Sequence, residues 1–230
     1  MAWSTSPKSS PRWPAPDRVG ASAIALAGEL CDTGQVLILA RHGRTASNAE
    51  SRLQGDSDIP LDEVGKLQAE NVGAYVRERW DVDTVFTTSL QRSQQTAVLA
   101  GFSSDMIEVD DRWREISFGE FEGQKVEEVV PDLGSRWGND INYRPKGGES
   151  LPSLHTRVAE ACAELTERAA DENVLVVTHA TPIKSAVIWA TGGDPAMILK
   201  LWVYPGSVSV LDNWGGNAVL LEFNRLIHTS

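Results

Sequence analysis

The chain has 230 residues, 41% of them hydrophobic and 23% charged, which favours one domain with a sizeable core. A formal net charge of -11 argues against broad nucleic-acid binding, although an acidic body can still carry a local basic pocket for an anion. No apolar stretch approaches the ~20 residues of a membrane span, and Cys31 and Cys162 have no metal-type spacing, which suits a reduced cytoplasmic setting.

Residues 1–34 read as a flexible tail and lead-in, with Pro7, Pro11, Pro14 and Pro16 spaced by Ser, Lys and Arg. Ala21 to Leu30 is small and apolar, yet its proline-rich lead is a poor match to a signal peptide. The folded domain is expected over 35–230. Val36–Ala40 is a short buried strand, followed by Arg41-His42-Gly43 and a helix start within Arg44–Ser51. Leu61 to Trp80 has helical apolar spacing, Thr84–Thr87 is a strand, Leu90–Leu99 a helix and Met106–Val109 a strand. The stretch from about 118 to 150, with Pro131, Pro145, Gly147 and Gly148, reads as irregular. Its Gly147-Gly148-Glu149-Ser150 run is suited to cap the next helix. Leu154–Ala170 is an amphipathic helix and Asn173–Thr178 the most apolar strand. Pro182 suits a first helical turn, predicting helix over Ile183–Thr191. Ser207–Leu211 and Ala218–Phe223 alternate as a β pair around Gly215-Gly216. Strands alternating with helices predict an α/β fold, a mostly parallel central sheet flanked by helices.

Four clusters suit one chemistry: Arg41-His42-Gly43 with Asn48; Thr88-Ser89-Leu90-Gln91-Arg92; Arg114-Glu115-Ile116-Ser117-Phe118-Gly119; and Thr178-His179-Ala180. Three of them end predicted strands, and a parallel sheet gathers such ends along one edge. Guanidiniums neutralise phosphate charge, an imidazole can attack phosphorus, and a carboxyl can protonate the leaving oxygen. Gly43 would let the backbone approach whatever sits there.

In the order and spacing of these motifs, from about residue 35 to 225, the chain resembles the histidine phosphatase superfamily, the phosphoglycerate-mutase-like proteins. The resemblance implies the three-layer fold of that family and a small phosphate ester as substrate, with no cofactor and no metal. It implies that His42 becomes phosphohistidine, that Glu115 is the proton donor, and that Arg41, Arg92 and His179 clamp the phosphoryl group. Asn48, Arg44 and Ala180 fall at positions that face the phosphate or substrate. Phosphoglycerate mutases of the family follow the catalytic Glu with an Arg-His pair, where this chain has Ile116 and Ser117. The Glu-Ile-Ser-Phe-Gly run is closer to the small bacterial phosphatases, including the α-ribazole phosphatases, so hydrolysis is expected. Mutase-type transfer is the alternative. A non-catalytic phosphate-binding protein would typically have lost one of the matched residues. Arg52 is expected to fix a loop. Trp113, Phe118, Phe121 and Trp137 are candidates for the leaving-group side, and His155 and His228 are expected to be structural. The residues leave the oligomeric state open, a homodimer included.

Overall fold

The computed structural model describes residues 35–214 and 217–227. The expectations for the N-terminal tail, Cys31, the Gly215-Gly216 turn and His228 lie outside those residues. Six strands form one sheet in the order β3-β2-β4-β1-β5-β6: β1 Val36–Arg41, β2 Thr84–Thr87, β3 Ile107–Val109, β4 Val174–Thr178, β5 Ser207–Trp214 and β6 Asn217–Leu226. The first four are parallel to one another, and β5 and β6 add an antiparallel pair on the side of β1. The longer helices are α2 Glu63–Arg79, α3 Gln91–Leu99, α4 Val126–Asn139, α5 Leu151–Arg168 and α6 Ala180–Thr191, after a single turn α1 Ala46–Ala49.

The predominantly apolar central strands have helices over both faces, and the two-residue strand period splits them between two cores. Leu37, Leu39, Val174 and Val176 join one core with Leu154, Val158 and Leu165 of α5. Val36, Ile38, Ala40, Leu175 and Val177 join the other with Val72 and Val76 of α2 and Ala97 of α3. Three layers follow from this alternation.

Helix starts are set by caps. Asp62 accepts from the Gly65 N–H at 2.8 Å, so α2 begins at Glu63, while Leu61 is drawn into a bridge with Thr45. Ser150 caps α5 through the Ser153 N–H, as expected for the Gly-Gly-Glu-Ser run. Helix α6 starts at Ala180, earlier than Pro182 alone suggests, because His179 already has extended backbone and serves as its N-cap.

The stretch read as irregular contains a full helix, α4, with Pro131 inside it. Val129, Leu133 and Trp137 recur every fourth residue and are all buried, so one apolar stripe outweighs the proline. Pro131 has no N–H to offer the Glu127 carbonyl and crowds it. We therefore expect Pro131→Ala to raise the unfolding free energy by about 1–3 kcal/mol in urea titrations; a loss of stability would mean that the ring is needed for packing.

Candidate functional site

Register gathers the site. Arg41 lies beside Thr178 across the β1–β4 pair, and the His42 N–H donates to the Thr178 carbonyl at 2.9 Å. This sets His42 and His179 side by side at the carboxyl ends of neighbouring strands, with ring centroids 5.1 Å apart. His42 Nδ1 lies 2.7 Å from the Gly43 carbonyl, which can only accept. Nδ1 therefore carries the proton, and the Nε2 lone pair is left free. Burial holds the His42 pKa well below the ordinary value, with Arg92 and Arg41 adding to the effect.

Gly43 serves a purpose other than the expected one. A Cβ there would meet the Gly65 carbonyl oxygen at 2.2 Å, so the close approach is to the backbone of α2, not to a ligand.

Arg92 is fully buried at the start of α3. Its Nη1 and Nη2 each donate at 2.8 Å, to the Ser57 and Gly55 carbonyls, and its Nε donates to His179 Nδ1 at 3.2 Å. Among the described residues, one N–H on each Nη remains uncommitted. Since His179 Nδ1 accepts, its Nε2 carries the proton and faces Thr88 Oγ1 at 3.1 Å. The loop that receives Arg92 is itself fixed by Glu122, whose carboxylate accepts from the Gly55 and Ser57 N–H groups. Arg41 donates through Nη1 to the Val203 carbonyl, while its Nε is buried with no partner among the described residues. Burial draws both guanidiniums down to about 10, with Glu115 opposing the shift, so both remain cationic near neutrality.

Glu115 follows a short 3₁₀ turn after β3 and is 7% exposed. Its Oε1 accepts from the Ile116 N–H at 2.9 Å and the Thr181 N–H at 3.2 Å. Arg157 of α5 supports the segment, donating to the carbonyls of Arg112, Arg114 and Glu115 while paired with Glu149. Asn48 closes a capping box with Thr45 through Oδ1, and its Nδ2 has no partner among the described residues.

A cavity of about 400 Å³ opens beside this cradle. Arg41, Asn48, Glu115, Ala180 and Thr181 line it, whereas the buried His42, Arg92 and His179 are not among its walls. Arg44 is not among its walls; its guanidinium is turned to Asp62 at 2.8 Å. Phe118 and Trp137 line the cavity, while Trp113 is core and Phe121 packs against that core. Arg52 bonds to Glu50 and the Gly123 carbonyl, the loop-fixing role expected, and also borders the cavity. His155 bonds to Ser185, and Cys162 is a free thiol buried in the core. The motif reading missed Lys184, one turn after Ala180 on the same side of α6, and the Ile198–Pro205 wall. Burial lowers the Lys184 pKa, with Glu115 opposing and Arg41 reinforcing the shift.

His42 and His179 are both held neutral by burial below the ordinary value near 6.5. The unfolded chain then binds more protons between that value and the depressed ones, so stability rises with pH through that window. Acidification below about pH 6.5 should cost up to about 1.4 kcal/mol per pH unit for each imidazole. Urea unfolding between pH 6.5 and 5 in phosphate-free buffer should accordingly show a shallower loss in His42→Gln than in the parent. Parallel slopes would mean that His42 is not buried as a neutral ring.

The profile of the histidine phosphatase superfamily (branch 1) matches residues 37–226. A Mycobacterium tuberculosis protein named as bifunctional is 32% identical over 187 residues, 79% of this chain and 51% of that one. The chain thus spans about half the length of that relative. Phosphoserine phosphatase 1 of Hydrogenobacter thermophilus is 31% identical over 200 residues, 84% of this chain and 93% of that one. Among solved structures, a phosphoserine phosphatase from Entamoeba histolytica in complex with 3-phosphoglyceric acid superposes with a TM-score of 0.73 at 26% identity. That match covers 83% of this chain and 96% of the other.

Proposed function

Because the chain belongs to the histidine phosphatase superfamily, we propose that it is a phosphomonoesterase working through a phosphohistidine on His42. The observation that carries this reading is the fixed His42 tautomer: a buried, neutral ring whose Nδ1–H is held by the Gly43 carbonyl. Arg92 and Arg41 are close enough to act on the charge of this ring, and both have donors to spare. The buried, unpartnered Arg41 Nε and the two uncommitted Arg92 N–H groups are what a phosphoryl group's oxygens would satisfy. The Asn48 amide, whose Nδ2 has no partner among the described residues, adds a further donor, while His179 orients Arg92 through its Nε.

In the first step Nε2 attacks phosphorus, the ester P–O bond breaks, and Glu115 gives its proton to the departing alkoxide. In the second, water attacks the phosphohistidine, the P–N bond breaks, Glu115 takes the water proton, and inorganic phosphate leaves. Each chemical role belongs to this chain's own side chains, and no step requires a metal.

The test is initial rates over a panel of phosphomonoesters with EDTA present, vanadate as inhibitor, and a 3-phosphoglycerate isomerisation assay alongside. Hydrolysis insensitive to EDTA and blocked by vanadate supports the reading. Isomerisation that needs a trace of 2,3-bisphosphoglycerate, with no phosphate release, would replace it with a mutase.

A further inference from the structure

The cavity beside Glu115 is where the alcohol half of the ester must sit, since Glu115 is the group that meets the leaving oxygen; this inference rests on the phosphatase reading. Arg41, Glu115 and Lys184 are among its walls. Lys184 lies close enough to Glu115 and Arg41 for both to act on its charge, which places it with them. Arg52 is committed to Glu50 and the Gly123 carbonyl, and Gln54 to Thr45 and the Ser57 carbonyl.

Much of the remaining wall is apolar, with Ile116, Phe118, Ile198, Leu201, and Leu133 and Trp137 of α4. The apolar surface also continues out of the mouth. Val130, Leu199 and Trp202 line the cavity yet are 43%, 40% and 62% exposed. Trp202 is held edge-on against Tyr204, with ring centroids 6.1 Å apart. Exposed large side chains that cluster at a pocket rim mark a binding surface more often than chance scatter does. A serine or glycerate leaving group would fill little of about 400 Å³ and would leave these walls facing water.

We propose that the substrate is the phosphate monoester of a bulky apolar alcohol, its body filling the cavity and reaching the Val130–Trp202 rim. The probes are straight-chain alkyl phosphates from ethyl to octyl, with phosphoserine and 3-phosphoglycerate as polar esters. A second set is the matching alkylphosphonates, which keep a phosphorus head but cannot be hydrolysed.

We expect kcat/KM to rise about two- to fourfold per methylene, with octyl phosphate exceeding both polar esters by about a hundredfold or more. Phosphonate Kd measured by calorimetry should tighten along the same series. Paired V130S and W202S substitutions, with the melting temperature checked, should weaken octylphosphonate binding by about tenfold. A flat chain-length series, or preference for phosphoserine, overturns the apolar assignment while leaving the phosphatase reading intact. Absence of hydrolysis on every ester, with phosphonates still tightening, overturns the phosphatase reading and keeps the apolar pocket. Absence of both overturns both.

Discussion

Replacing His42 by alanine should lower kcat on p-nitrophenyl phosphate by about 10⁴-fold or more, with far-UV circular dichroism and melting temperature close to the parent's. The size follows from geometry. Among the described residues the cradle holds one imidazole nitrogen with a free lone pair, His42 Nε2, because both nitrogens of His179 are engaged by Arg92 and Thr88. The remaining donors could still bind phosphate, so the variant should retain vanadate binding while losing turnover. The fold should tolerate the change: among the described residues His42 makes a single side-chain hydrogen bond, to the neighbouring carbonyl, and its backbone N–H bond to Thr178 is untouched. Rapid quench in alkaline detergent should trap a labelled phosphoprotein, stable to base and labile to acid, in the parent and none in the variant. Activity within tenfold of the parent would remove His42 as the nucleophile.

The second large effect is expected at Glu115. Its Oε1 is anchored by the Ile116 and Thr181 amides, while among the described residues Oε2 has only a long 3.4 Å contact to Thr181 and is the oxygen placed to handle a proton. Glu115→Gln keeps an acceptor for both amides and removes the acid. We expect kcat on an alkyl phosphate to fall by about 10²–10⁴-fold, the usual worth of general acid catalysis. On p-nitrophenyl phosphate, whose leaving group scarcely needs a proton, the fall should be under about tenfold. Equal losses on both esters would show that Glu115 serves binding or structure instead of proton transfer.

The parts of this site that the sequence revealed are those where chemistry is contiguous with a strand end. Arg41-His42 and Thr178-His179 each close an apolar run, and a parallel sheet has only one edge at which to deliver them. The strand and helix alternation was equally legible, since both cores follow from simple two-residue and helical spacing. What stayed hidden has no side-chain signature. The groups that hold Arg92 are the main-chain carbonyls of Ser57 and Gly55, 35 and 37 positions away, and Arg41 rests on the carbonyl of Val203. Helix α4 was obscured because Pro131, Gly134 and Gly138 interrupt an otherwise regular Val129, Leu133, Trp137 stripe. Lys184 was visible in the Thr-His-Ala-Thr-Pro-Ile-Lys run; its four-residue offset from Ala180 was the signal that puts both on one side of α6. Arg44 shows the opposite failure, a charge adjacent in sequence that Asp62 takes away in space.

The chain of contacts from Glu122 through the 55–57 loop to Arg92 bears on when the work of assembling the site is done. A guanidinium on a free arm would have to be immobilised each time a ligand arrived, with loss of side-chain freedom at every turnover. Here Arg92 is already oriented by two carbonyls and an imidazole, and the loop supplying the carbonyls is locked by a carboxylate. Immobilisation is completed once, as the protein folds. On the phosphatase reading, the reorganisation left for the catalytic cycle is correspondingly small, and the dipoles that would face the phosphoryl group are in place before any charge develops on it.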